Sequence, residues 1–120
     1  MATTSWDVRL ADEFDEELKD LPHPVQEEIL ASAGLLEKYG PNLGRPWVDT
    51  LKGTRFPNLK EIRVSVSDKY GVWRVAFAFD PSRTAILLVA EDKSSTNTTR
   101  FYKRLIETAE ERYQRHLGKS

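Results

Sequence analysis

The chain has 120 residues, of which 39% are hydrophobic and 31% charged, with a net charge of −1; that is enough for one core and too little for two, so residues 1–120 are expected to form a single domain. It has no cysteine, which excludes a disulfide framework, a thiolate metal site and a thiol nucleophile. No apolar run approaches the roughly 20 residues that span a bilayer, and the opening stretch MATTSWDVRLADEF has neither the basic start nor the apolar run of a signal peptide, so a cytoplasmic protein with no membrane contact is expected.

Trp6 to Leu10 alternates apolar and charged residues, which predicts a short strand. Asp12 is the expected N-cap of a first helix, with acids crowding the first turn where the helix dipole favours them, and Phe14, Leu18 and Leu21 form its apolar stripe. Leu21-Pro22-His23-Pro24 breaks this helix. Pro24 suits the first position of a second one, whose buried face is expected at Val25, Ile29, Ala33 and Leu36. Tyr39-Gly40-Pro41 ends it, since glycine accepts the left-handed cap and proline cannot continue a helix. Residues 42–58 are turn-rich, with Pro46, Gly53 and Pro57, and hint at a strand only around Trp47-Val48.

The period then changes to two. Ile62, Val64 and Val66 alternate with Glu61, Arg63 and Ser65; after a turn at Ser67 to Gly71, Trp73, Val75, Phe77 and Phe79 alternate with Arg74, Ala76 and Ala78. Asp80 to Arg83 is a second turn. Ala85 to Ala90 is a continuous apolar run, the pattern of a strand covered on both faces. These three strands are expected as an antiparallel meander. Ser94 to Thr99 is a polar loop with N-cap candidates. A final helix carries Tyr102, Ile106, Ala109 and Tyr113 on one flank, with Phe101, Leu105 and Leu117 nearby, and Arg112, Arg115 and His116 in its last turns. The expected fold class is α+β: a small antiparallel sheet with an N-terminal helical hairpin and a C-terminal helix, in the order β-α-α-β-β-β-α.

Charge is unevenly distributed. Residues 1–44 hold ten acids against three bases, and residues 45–104 hold twelve bases against six acids. Two readings are open: the basic part attracts polyanions, or acidic helices and basic strands neutralise each other in the fold. Strand parity sharpens the first. With Ile62 and Val75 facing the helices, Arg63 and Arg74 project from the opposite face, on neighbouring strands if the hairpin pairs around its turn. Ala76 and Ala78 beside them are small enough to leave room for a groove. Two guanidiniums over such a floor make a phosphate clamp; otherwise they are solvated arginines pairing with Glu61.

Lys93, Arg100, Lys103 and Arg104 form a second basic group around Tyr102, with no acid from residue 93 to 104. Tyr102 can stack on a base or take part in proton transfer, or it can serve the core with Ile106. Lys52, Arg55 and Lys60 add charge before the hairpin, and Lys60 has the parity of buried Ile62. His23 and His116 lie in different regions with no carboxylate at ligand spacing, so neither a metal nor a cofactor is expected. Neither a serine triad nor a phosphate-binding glycine loop is present. What remains is a metal-free cationic groove. It can bind nucleic acid, or cleave RNA by assisting a 2′-hydroxyl to attack its own phosphate, which needs a proton acceptor, charge stabilisation and a proton donor.

Leu51-Lys52-Gly53, Asn58-Leu59-Lys60-Glu61-Ile62-Arg63, Trp73-Arg74-Val75-Ala76-Phe77-Ala78-Phe79-Asp80-Pro81, Ile86 to Val89, Asp92-Lys93 and Arg100-Phe101-Tyr102 together resemble HigB-like toxins of the RelE/ParE superfamily, over about the final two thirds of the chain. The resemblance implies a toxin of a type II toxin–antitoxin system: a compact sheet flanked by helices, a DNA-binding HigA-like antitoxin as partner, and ribosome-dependent cleavage of messenger RNA in the aminoacyl site. By position it implies that Arg74 stabilises phosphate or acts in catalysis, that Lys93 binds phosphate or assists proton transfer, and that Tyr102 sits by the scissile site. It implies that Lys60 and Arg63 hold the RNA backbone; Lys52, Arg55, Arg100 and Lys103 are expected to add RNA contacts. The pattern departs in two places. RelE-type toxins tend to have a lysine pair where Lys60 stands with Glu61, and neither histidine is placed like the one some HigB toxins use. The superfamily also contains ParE members that poison DNA gyrase and cut nothing, so the alternative is a non-nucleolytic gyrase inhibitor or a silenced nucleic-acid-binding homologue.

Overall fold

The computed structural model describes residues 5–94 and 97–118. Ser95 and Thr96 of the polar loop, and the first four residues of the N-terminal stretch, lie outside them. The elements are β1 (Asp7–Leu10), α1 (Asp12–Leu18), α2 (His23–Tyr39), β2 (Val48–Thr50), β3 (Leu59–Val64), β4 (Trp73–Phe79), β5 (Thr84–Asp92) and α3 (Thr98–Gly118), with short 3-10 turns at Gly40–Asn42 and Asp68–Tyr70. The sheet runs β1-β5-β4-β3-β2. β3, β4 and β5 form the antiparallel meander expected from their alternation, and β2 adds antiparallel to β3. β1 instead lies parallel to β5, Asp7 opposite Thr84 and Leu10 opposite Leu87. The sheet is therefore mixed, because the chain between these two strands is a long crossover and not a hairpin.

Local details differ from expectation in three places. Asp12 is the first residue of α1 and not its cap; Ala11 holds the cap position without a side-chain hydrogen bond, while Asp12, Glu13 and Asp15 still occupy the first turn. Pro24 is the second residue of α2. That helix buries Ser32 in place of Ala33, and the Ser32 hydroxyl donates to the Glu28 carbonyl at 2.9 Å, which removes the cost of burying it. Gly40 does close α2, with φ +53°, and a Cβ there would run into the Trp6 indole, so glycine is required twice over.

The sheet has a core on each face. On one, Phe14, Val25, Ile29 and Leu36 of the helical hairpin cover Ile62, Val75, Phe77 and Leu87. On the other, Phe101, Leu105, Ala109 and Tyr113 of α3 cover Leu59, Ala76, Ala78, Ile86, Leu88 and Val89. β5 is thus buried on both sides, as its unbroken apolar run predicts. Ala76 and Ala78 are not the floor of a groove. Both are fully buried beneath α3, and their small side chains admit the helix.

A bulge falls where β4 meets β5: Ala76 faces Val89 and Phe77 faces Leu87, leaving Leu88 without a partner in the ladder. Arg112 supplies one. It donates to the Leu88 carbonyl at 2.8 Å and grips Glu17 of α1 with two hydrogen bonds of 2.7 and 2.6 Å. Arg115 pairs with Glu13, and His116 lies 2.8 Å from Asp80 at the β4–β5 turn. Part of the acidic excess of the first 44 residues is therefore neutralised by Arg112 and Arg115 of the last helix, and not by the basic strands of the second reading. No helix among the described residues is long and apolar enough to cross a membrane.

Candidate nucleic-acid interface

Register decides which side chains meet. Arg63 stands opposite Arg74, and Glu61 stands between Ala76 on β4 and Asp49 on β2. All of these project on the α3 side of the sheet, at the end where α3 begins. Arg74 is largely enclosed, its side chain 15% exposed, with Nε 3.5 Å from Glu61 Oε1 and Nη1 donating to the Trp73 carbonyl at 3.0 Å. Its Nε is buried with no hydrogen-bond partner among the described residues. The Tyr102 hydroxyl donates to the same Glu61 Oε1 at 2.7 Å. Lys93 Nζ lies over the Tyr102 ring, 5.8 Å from its centroid.

Burial, then the hydrogen bond and negative charge of Glu61, push the Tyr102 phenol above its ordinary value; Arg74 opposes them. Tyr102 is thereby held as the neutral phenol. Glu61 is a nearly buried carboxylate that touches both the phenol and the guanidinium. The sequence offered Glu61 only as an ion partner for the arginines. The available signal was its parity: a lone acid on a cationic strand face, two residues from Arg63.

The structure brings together Arg74, Tyr102 and Lys93 of the expected residues. Arg63 shares their face but is engaged by Asp49 at 3.3 Å, which also holds Arg45 at 3.1 Å. The Thr50 backbone N–H and these two arginines hold the Asp49 carboxyl below its usual range against slight desolvation. Lys52 and Tyr102 line two adjoining clefts. One of about 320 Å³ includes Glu61, Asp49 and Leu51, and another of about 540 Å³ includes Lys103, Thr98 and Thr99. Together they form a groove between the loop after β2 and the first turns of α3. Arg100 is exposed on α3 and lines neither cleft. Asn97 caps that helix, its side-chain oxygen accepting from the N–H groups of Thr99 and Arg100 at 3.0 and 3.2 Å.

Two expected residues stand apart. Lys60 projects to the other face, as its parity with Ile62 warned, and donates to Thr50 Oγ1 at 3.3 Å. Arg55 lies over the Phe56 ring and 3.9 Å from Glu110, whose carboxylate also accepts from Thr54 Oγ1 and the Arg55 N–H. It serves the loop that walls the groove. Among the described residues, no three His, Asp or Glu side chains converge as metal ligands.

Residues 16–114 match the family described as phage derived protein Gp49-like (DUF891). The chain belongs to this Gp49-like family. The matched region of the Gp49-like chain takes in Glu61, Arg63, Arg74, Lys93 and Tyr102. It is similar to two candidate toxins of Mycobacterium tuberculosis: 40% identical to HigB2 over 101 residues, 84% of this chain and 49% of that one, and 40% identical to HigB3 over 90 residues, 75% of each. The chain therefore spans about half the length of HigB2. Its Gp49-like fold is that of RelE. A double mutant of Escherichia coli toxin RelE in the free state superposes with a TM-score of 0.65 at 12% identity, covering 91% of this chain and 98% of that one. The archaeal RelE–RelB complex from Pyrococcus horikoshii OT3 superposes with a TM-score of 0.56 at 20% identity, covering 78% of this chain and 100% of that one.

Proposed function

We propose that the protein is a HigB-like toxin, a single cytoplasmic domain that cleaves messenger RNA on the ribosome and is restrained by a HigA-like antitoxin. The observation that carries the reading is the Tyr102–Glu61–Arg74 cluster, in which Tyr102 and Glu61 line clefts that also take in Lys52 and Lys103, with Lys93 over the Tyr102 ring. 2′-Hydroxyl attack requires an in-line geometry, a proton acceptor, a proton donor and charge stabilisation, and the last three have candidates in this one contact cluster. Likeness to the HigB candidates supports a toxin, and the RelE–RelB complex supports a protein partner for the fold.

In this reading Glu61 takes the proton of the 2′-hydroxyl as its oxygen bonds to phosphorus. Arg74 stabilises the charge gathering on the phosphoryl oxygens. Tyr102 protonates the departing 5′-oxygen as the phosphorus–oxygen bond breaks, which leaves a 2′,3′-cyclic phosphate and a 5′-hydroxyl. Lys93 holds phosphate beside Tyr102; Lys52 and Lys103 draw the backbone along the groove, and Arg63 and Arg100, outside the clefts, add attraction for it. Purified ribosomes carrying a defined message provide the test. Wild type should cut within translated codons and Arg74→Ala should cut at least 100-fold more slowly. An Arg74→Ala protein that cuts at the wild-type rate removes the site from this reading.

A further inference from the structure

Trp47 is the turn residue just before β2, the edge strand of the sheet. It is 48% exposed. Its ring has no aromatic, cation or hydrogen-bonding partner among the described residues, whereas Trp6 packs against Phe79 and Arg83, and Trp73 donates its indole N–H to Tyr70. Val48 is buried against the helical hairpin, so alternation turns Trp47 toward the side of Asp49, which faces Arg63. The backbone agrees: the Arg63 N–H donates to the Trp47 carbonyl at 2.8 Å. Arg45 and Arg63, 76% and 45% exposed, flank this position and are drawn together by Asp49. The other exposed large apolar side chains, Leu30 and Tyr39, belong to the acidic first 44 residues.

We propose that Trp47 is a stacking platform for an unpaired RNA base, with Arg45 and Arg63 holding the phosphates on either side of it. The proposal deepens the RNA-cleavage reading and rests on it. An exposed indole between two guanidiniums offers a nucleotide a π-face for its base and bidentate donors for its phosphates. Two strand spacings separate Trp47 from Arg74, about 10 Å, so the platform receives a neighbouring nucleotide and not the reacting one. Leaving a lone tryptophan in water costs the fold little, and its truncation should leave stability nearly unchanged.

The test is titration with a short single-stranded RNA, using protein that carries Arg74→Ala so that nothing is cut. Affinity and tryptophan fluorescence are followed together for Trp47, Trp47→Phe and Trp47→Ala. Trp47→Ala should bind roughly 5- to 150-fold more weakly, the range for one lost base stack. Trp47→Phe should recover most of that affinity, and most of the fluorescence quenching seen with Trp47 should be lost in it, since Trp6 and Trp73 are only partly exposed and already packed on Phe79 and bonded to Tyr70. Matching melting temperatures show that the fold is intact. Equal affinity in Trp47→Ala, or undiminished quenching in Trp47→Phe, overturns the platform alone and assigns the indole to a protein contact. Failure of all three proteins to bind RNA overturns the platform, while cleavage of ribosome-bound message with Arg74 intact tests the RNA reading separately.

Discussion

Glu61→Gln separates charge from shape at the centre of the site. Glutamine still offers Tyr102 an oxygen, but it removes the negative charge 3.5 Å from Arg74 Nε. At that separation the gross attraction is about 5 kcal/mol for an effective dielectric of 20. The carboxylate is itself nearly buried, so its lost desolvation cost returns much of this, and a net loss of about 1–2 kcal/mol is expected. For a chain of this size each kcal/mol lowers Tm by roughly 4 °C, so the variant should melt about 4–8 °C lower and remain folded at 25 °C. Catalysis should suffer far more. Loss of the proton acceptor is worth about 100- to 10,000-fold in the cleavage step, read as the single-turnover rate on ribosome-bound message. A folded Glu61→Gln protein that cleaves as fast as wild type would refute the acceptor role and leave Glu61 as a clamp for Arg74.

Tyr102→Phe keeps the ring beneath Lys93 and loses the donor, so single-turnover cleavage should fall about 100-fold or more while the half-saturating ribosome concentration stays within about threefold. Arg112→Ala strands the Leu88 carbonyl at the bulge and frees Glu17; thermal unfolding should show a loss of about 2–4 kcal/mol, roughly 8–16 °C, with cleavage at 25 °C retained. Asp80→Asn tests pH dependence. Burial works against the Asp80 charge, but hydrogen bonds from His116 and from the Thr84 and Ser82 N–H groups outweigh it and hold the carboxyl below its ordinary value of 3.8. A depressed carboxyl contributes its stability in full above the unfolded value and loses it as pH falls through the folded one. Urea midpoints should therefore place Asp80→Asn below wild type at pH 7, and the gap should narrow below about pH 4.

Much of the fold was legible because local patterns coincide with tertiary demand. The two-residue alternation at Ile62–Val66 and Trp73–Phe79 fixes both pairing and facing, and the apolar run of β5 predicts its two-sided burial. The parallel docking of β1 was not legible, since no local residue specifies a partner some 75 positions away. Ala76 and Ala78 misled for a related reason. A small side chain on an open strand face and one beneath a helix look alike until the helix is placed. The site was half legible: parity gave Arg63 and Arg74 a common face and warned against Lys60. Glu61 and the Tyr102 hydroxyl meet only because α3 returns across 41 residues to the sheet. Asp49, which ties Arg45 to Arg63, stayed hidden in a turn-rich segment whose strand is three residues long.

Messenger cleavage dependent on Arg74 is tested by induced expression in bacteria lacking the antitoxin, with 5′ ends of messenger RNA mapped before growth changes. Wild type should produce new ends inside translated codons, and Arg74→Ala should not. Growth arrest with intact messages, or new ends that persist with Arg74→Ala, would contradict it.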